Sequence, residues 1–323
     1  MIPYLNDLPP IAGKTVFLVV GKAASQHAEV AQQCLGDIEG LCILPRGHEV
    51  NTSLQVIEAS HPVPDDGSLR AAEDALTLAR SLGPNDRMIC LISGGGSALM
   101  SAPLPTMGSE LKMRTHRALL ASGATISELN TVRKQLSLVK GGRLAEACRG
   151  HILNFLVSDV PGDRVEFIAS GPTVPAYTNQ ADAIGVLTRH KIDVLDELTP
   201  WLSDQNNATP HPDSLCFERV STQIVAAPSQ SLKAAQKFLE SQIDKYTKAR
   251  TTMAILDTLD VIKNLQDIHD NDKAFQVLKD FERVIDNLGI YVFDNWEEGE
   301  LAAGPHISRH WVKCSFMWPR KNM

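Results

Sequence analysis

The stretch Leu91-Ile92-Ser93-Gly94-Gly95-Gly96-Ser97-Ala98-Leu99 decides how this chain reads. The apolar run 88–92 leading into it predicts a buried strand, and a helix-like segment comes soon after. Three successive glycines between Ser93 and Ser97 strip side chains from a turn, so bare backbone N–H groups can approach an anion closely. A strand leading into such a turn at a helix N-terminus is how α/β proteins hold phosphate. A tight turn with no ligand satisfies the same residues. The surrounding sequence has to decide.

Working outward, short apolar runs at 16–20, 41–44, 88–92, 152–157 and 223–227 predict strands. Helical patterns lie at 68–82, 110–122, 137–148, 179–189 and 229–239. In the first of these Leu69, Ala72, Leu76 and Ala79 share a face. Strands alternating with helices imply βαβ units and a largely parallel sheet covered on both faces. In such sheets ligands sit at the C-terminal strand ends. Three polar turns should therefore line one edge: Gly21-Lys22, Ser93 to Ser97, and Ser158 to Asp163.

The chain has 323 residues, enough for one large or two ordinary cores, and a formal net charge of −7. That acidity argues against a nucleic-acid or anionic-membrane surface but leaves room for a local basic cluster. No apolar run approaches the roughly 20 residues of a membrane span. Met1-Ile-Pro-Tyr-Leu-Asn-Asp7 lacks the basic-then-apolar order of a secretory signal. Six cysteines (34, 42, 90, 148, 216 and 314) have no metal-ligand spacing. Cys90 lies inside a predicted strand, where a thiol acts as a small hydrophobe. A reduced, cytoplasmic protein is expected.

Residues 241–323 differ in character from 1–240. They hold 9 of the 17 aromatics and 3 of the 21 glycines, so two different units are expected, divided near residue 240. Helical spacing at Ile255, Leu259, Ile262 and Leu265, then at Leu278, Phe281, Ile285 and Leu288, predicts a mainly helical tail unrelated to the first unit.

Several residues can carry chemistry. Lys22 follows the first strand and can point its ammonium across the sheet edge at a phosphate, although a surface lysine beside a packing glycine reads the same way. Gly13-Lys14-Thr15 is no Walker A ending, because position 8 is Leu and the triplet precedes the strand. Asp159 and Asp163 are hard oxygen ligands in one turn and suit Mg²⁺; as caps of the turn's backbone they need no metal. Ser170 and Thr173 add hydroxyls at another sharp turn. Arg133, Lys134, Lys140 and Arg143 gather four cations in eleven residues of an acidic chain, either as a solvated helix face or as a carboxylate or phosphate reader. His61, in the stiff His61-Pro62-Val63-Pro64-Asp65 turn, is a candidate contact to substrate.

Together these residues resemble the glycerate 2-kinase family, whose C-terminal half is called the MOFRL domain. The resemblance rests on Gly21-Lys-Ala-Ala24, Gly47-His48, Ala59-Ser-His-Pro-Val-Pro-Asp65 and Ser93-Gly-Gly-Gly-Ser-Ala-Leu99. It continues through Ser122-Gly-Ala124, 130–134, 136–144, 158–163 and 168–174, and more faintly through 224–239. It implies a Rossmann-like αβα first domain, a smaller second domain, and a site in the cleft between them. It also implies ATP-dependent phosphorylation of the 2-hydroxyl of D-glycerate with Mg²⁺, giving 2-phosphoglycerate. Lys22 matches the family's lysine at the transferring phosphoryl group or substrate. Arg133 is taken with it as catalytic. Ser93, Gly94, Gly95, Gly96 and Ser97 would bind the nucleotide phosphates; His61, Lys134, Lys140, Ser170 and Thr173 the substrate; Asp159 and Asp163 the metal.

The chain departs from that pattern in three places. Little remains of the family's extra helix before the first strand. The turn before Lys22 lacks the first glycine of Gly-Ala-Gly-Lys, and no second glycine-rich turn or partner arginine follows residue 240. A truncated, weakened enzyme is therefore expected, since positioning supplies most of the catalysis of phosphoryl transfer. Two other readings stay open. A hydroxypyruvate or tartronate-semialdehyde reductase would need Gly at 99 to complete Gly94-x-Gly96-x-x-Gly, and Leu99 stands there. The other is a non-catalytic remnant acting in association, with a homo-oligomer as one possible form.

Overall fold

A computed structural model describes residues 1–243. Sixteen regular elements follow in order: α1 Ile2–Asn6, β1 Thr15–Val20, α2 Ala24–Leu35, β2 Gly40–Pro45, β3 Gln55–Ala59, α3 Asp66–Arg80, β4 Arg87–Ile92, α4 Gly96–Leu99, α5 Ser109–Ala121, α6 Ile126–Gln135, α7 Arg143–Ala147, β5 His151–Val157, α8 Gln180–Arg189, α9 Leu195–Leu202, β6 Val220–Ala226 and α10 Pro228–Ile243. The strands form one sheet in the order β3-β2-β1-β4-β5-β6. The pairings β1–β2, β1–β4, β2–β3 and β4–β5 are all parallel.

Strand periodicity builds the core. Phe17 and Val19 of β1 lie in register with Ile89 and Leu91 of β4, and all four join Cys42, Leu44 and Phe155 in one buried cluster. Ala24, Ala28 and Ala31 of α2 and Leu5 of α1 cover that face. The intervening residues Val16, Leu18, Val20, Met88, Cys90 and Ile92 are as fully buried, so the central strands are apolar on both faces, as parallel strands must be. A second cluster joins α5, α6, α8 and α9 through Leu119, Leu129, Val132, Ala183, Leu187 and Leu198. Most of it is carried by the long connections β4–β5 and β5–β6.

The expected α/β architecture is present, with differences in detail. β3 has no counterpart among the predicted strands. It is a five-residue edge strand whose Gln55, Val56 and Glu58 are exposed, too short and polar to read as an apolar run. The predicted helix 137–148 shrinks to α7, because Gly141 and Gly142 sit at φ +62° and +88° and break it. The basic segment before it instead belongs to α6, which Thr125 and Glu128 start with a capping box.

The chain divides into two compact units. One contains residues 1–158 and 164–225; the other contains 159–163 and, among the described residues, 226–243. In the second unit α10 packs on the turn 161–163, and Asp163 accepts a hydrogen bond from Ser229 Oγ at 2.5 Å. The expected boundary at 240 falls within α10, and the expected tail 244–323 lies outside the described residues.

Candidate functional site

Strand order β3-β2-β1-β4-β5-β6 reverses direction between β1 and β4. At such a switch point the connections leave the two neighbouring strands on opposite sides, opening a crevice at their C-terminal ends. Both notable turns stand there. Gly21-Lys22 follows Val20, and Ser93 to Gly95 follow Ile92, the residue paired with Val20.

The two turns are laced together. Ser93 N donates to Val20 O at 2.9 Å, Lys22 N to Gly94 O at 2.8 Å, and Ala23 N to Ser93 Oγ at 3.1 Å. Gly21, at φ +129°, lies so close to Ser93 that a Cβ would overlap its hydroxyl oxygen. Gly95 sits at φ +87°, in the left-handed region that penalises any side chain. The space beside its Cα is filled by the Lys22 stem, with Cγ 3.0 Å and Cε 3.3 Å from where a Cβ would stand. The His61 ring is on the same spot, with Cδ2 3.2 Å away. Lys22, Gly95 and His61 therefore converge, although 73 residues separate the first two along the chain.

The loop bearing His61 is anchored at Asp65, the N-cap of α3, which accepts from Ser60 N, Ser68 N and the Arg46 guanidinium. Burial pushes the Asp65 carboxyl up, but Arg46 and the two amides outweigh it and bring it down to about 2.

On its other side the glycine turn meets the segment 165–170. A Cβ on Gly96 would stand 2.8 Å from Ala169 Cβ. Ser97 Oγ lies 2.7 Å from Ser170 Oγ, which donates to Asn130 Oδ1 at 2.9 Å. Ser170 has one proton and gives it to Asn130, so Ser97 is the donor of the serine pair. Ala169, Ser170 and Gly171 take φ of +51°, +60° and +60° in succession. Such backbone, costly for the first two, persists only where its surroundings over-determine it. The helix after the glycines, α4, is a single turn, so it brings little macrodipole. What the turn presents is backbone without side chains at three successive positions.

The other expected site residues scatter. Thr173 Oγ1 donates to Asn154 Oδ1, and Asn154 Nδ2 to Thr222 Oγ1, both at 2.9 Å. This polar chain ties β5 to β6. Lys134 is buried with its ammonium 5.4 Å from the centre of the Phe167 ring; burial pulls it down to about 8, against the pull of Glu166. Arg143, pulled by burial to about 10, is spent on the carbonyls of Lys134 and Asn207. Arg133 and Lys140 stand together with Lys112 and His116, two residues that no sequence motif singles out. The signal available for them was their four-residue spacing on a predicted helix. Asp159 and Asp163 belong to the second unit. There Asp163 has its second carboxylate oxygen buried without a hydrogen-bond partner.

Residues 6–203 match the model of a family described as a domain of unknown function, DUF4147. The chain belongs to the DUF4147 family. Among curated relatives of this DUF4147 protein, a putative hydroxypyruvate reductase of Agrobacterium vitis is 42% identical over 239 residues, covering 72% of this chain and 54% of the relative. A D-glycerate 2-kinase of Thermotoga maritima is 38% identical over 190 residues, 57% of this chain and 46% of the relative. The chain spans about half the length of the curated relatives it matches. A crystal structure of a glycerate kinase from Thermotoga maritima aligns with a TM-score of 0.64 at 34% identity, over 71% of this chain and 55% of that one. A Pyrococcus horikoshii structure aligns at 0.65 and 35%, over 72% and 54%.

Proposed function

We propose that this chain binds ATP at the β1/β4 switch point and takes part in phosphorylating the 2-hydroxyl of D-glycerate. The observation that carries the reading is the packing of Lys22 against the side-chain-free Gly95. A phosphoryl group seated on the turn would meet backbone N–H groups from Gly95 onward and a lysine ammonium. Charge building on its oxygens during transfer is what such donors stabilise. The glycerate kinase names of several relatives support the same chemistry.

Asp163, with an orphaned buried oxygen, and Asp159, four residues earlier, would be the residues to hold Mg²⁺. Arg133 and Lys140 are proposed to act on the acceptor rather than on the nucleotide.

The names of two relatives favour a second reading, a hydroxypyruvate reductase. Against it, the glycine fingerprint of a dinucleotide site belongs on the first βα turn. Here that turn reads Gly21-Lys22-Ala23-Ala24, and the glycine triplet stands after β4 instead. Two assays on the same preparation separate the readings. ADP release from ATP and Mg²⁺ with D-glycerate should be measurable, and NADH or NADPH oxidation with hydroxypyruvate should not exceed background. Hydroxypyruvate-dependent oxidation without ADP release would reverse the assignment.

A further inference from the structure

Beside the glycine turn lies a second, differently built region. Lys112 and His116 sit one helical turn apart on α5, Arg133 on α6, and Lys140 ahead of α7. Lys112 Nζ donates to the carbonyl of Ala102 and Lys140 Nζ to that of Met100, each at 2.7 Å. The two carbonyls are two residues apart on the segment that leaves α4. An Arg133 guanidinium nitrogen is 3.1 Å from His116 Nδ1. Lys140 is 2% exposed, and a single carbonyl takes one of its three donors.

Among the described residues no carboxylate pairs with any of the four; the charges that reach them are one another, Arg117 and Arg143, all cations. Gathering positive charge under cover without a counter-charge is expensive, and the groups respond by shedding protons. Burial first, then the neighbouring cations, pulls Lys112 down to about 7 and His116 to about 4; burial brings Arg133 to about 10 and Lys140 well below its ordinary value. A structural core gains nothing from such an arrangement, because apolar side chains of the same volume would fill it at less cost. A bound anion removes the cost.

We infer that Lys112, His116, Arg133 and Lys140 form a binding site for the carboxylate of a small organic acid, distinct from the glycine turn. The planar fork of Arg133 and the two ammoniums suit the two oxygens of a carboxylate. Along the chain the site lies one turn of helix beyond the phosphate turn, since α4 separates Gly95 from Met100. The acid end and the reacting end of one small substrate thus have separate readers. The identity of the acid as glycerate rests on the kinase reading; the existence of the site does not.

The full chain, with D-glycerate and inorganic phosphate as separate probes, tests this by thermal unfolding and by calorimetry in buffers of different ionisation heat. D-glycerate should raise the melting temperature and be bound with net proton uptake at pH 7.5, as Lys112 regains its proton. Lys112→Met should reduce the proton uptake and weaken D-glycerate by about 10-fold or more, the worth of one charged hydrogen bond. Lys140→Met should lose the D-glycerate effect while its ligand-free melting temperature stays level or rises; if that variant does not fold, Lys112→Met, on a half-buried side chain, decides alone. Equal D-glycerate shifts in wild type and variants would overturn the site, as would no D-glycerate effect on the wild type, or a response to phosphate alone. D-glycerate binding with these signatures but no ADP release would sink the kinase reading and leave the site standing. ADP release with an unchanged KM for glycerate in Lys112→Met would do the reverse.

Discussion

The switch-point turn and the cation cluster are neighbours built on opposite principles. The turn is made of missing side chains: Gly21 and Gly95 adopt φ of +129° and +87°, and their bare backbone is held by hydrogen bonds between the β1 and β4 turns. It offers neutral dipoles that need no counter-charge, so it costs mainly backbone entropy and strain. The cluster is made of side chains, four cations or would-be cations gathered by α5, α6 and the turn before α7, and its cost is desolvation. Substitutions should therefore hurt the first region through geometry and the second through charge. Stability should fall in the first and hold or rise in the second.

The largest expected effect is at Lys22, a charged side chain packed on the turn. Lys22→Met should reduce ADP release with D-glycerate by about 100- to 1000-fold, the usual cost of deleting one group that stabilises transition-state charge. Nucleotide affinity should change much less. An equal loss in binding and turnover would make Lys22 an anchor for the ground state. Ser170→Ala comes next. It leaves Asn130 Oδ1 without its donor and Ser97 without its acceptor, and should cost about 1–3 kcal/mol of unfolding free energy in denaturant titrations. A neutral result would mean the three left-handed residues 169–171 hold without it.

The pH dependence of stability sharpens the comparison from the other side. Lys112 falls to about 7 in the folded chain from an ordinary 10.5, so between those values the unfolded chain holds the proton and the folded one does not. The native state is thus penalised below pH 7 and recovers as pH rises. The midpoint of urea unfolding should climb modestly from pH 7 to 8.5. Above that range the buried thiols of Cys42 and Cys90, raised by burial, favour the folded state less, because the unfolded chain sheds their protons. The difference curve between wild type and Lys112→Met isolates the lysine's share; coincident slopes would show that Lys112 does not carry it.

Legibility in the sequence follows the same division. The central strands and the glycine turn could be read, because apolar runs and consecutive glycines are local signals. The meeting of Lys22 with Gly95 could be expected from parallel strands ending at one edge. Lys112 and His116 carry only a weak signal, their four-residue spacing, because a lysine and a histidine on an amphipathic helix look solvated until α6 folds over them. At Thr173 a hydroxyl in a turn gives no sign that Asn154, on another element, accepts its proton. The apolar pattern over 137–148 gives no sign that Gly141 and Gly142 take left-handed conformations, Gly142 with the Phe217 ring 2.5 Å from where its Cβ would be.

The central claim is that the bare turn at the β1/β4 switch point seats the nucleotide phosphates. Calorimetric titration of the full chain with Mg²⁺ and ATP, comparing wild type with Gly95→Val, tests it most directly. A valine there is strained at φ +87° and displaces the Lys22 and His61 side chains from the turn. The account predicts measurable nucleotide binding by the wild type and its loss in a Gly95→Val protein whose circular dichroism matches the wild type. Undiminished binding by that folded variant would place the nucleotide elsewhere and contradict the account.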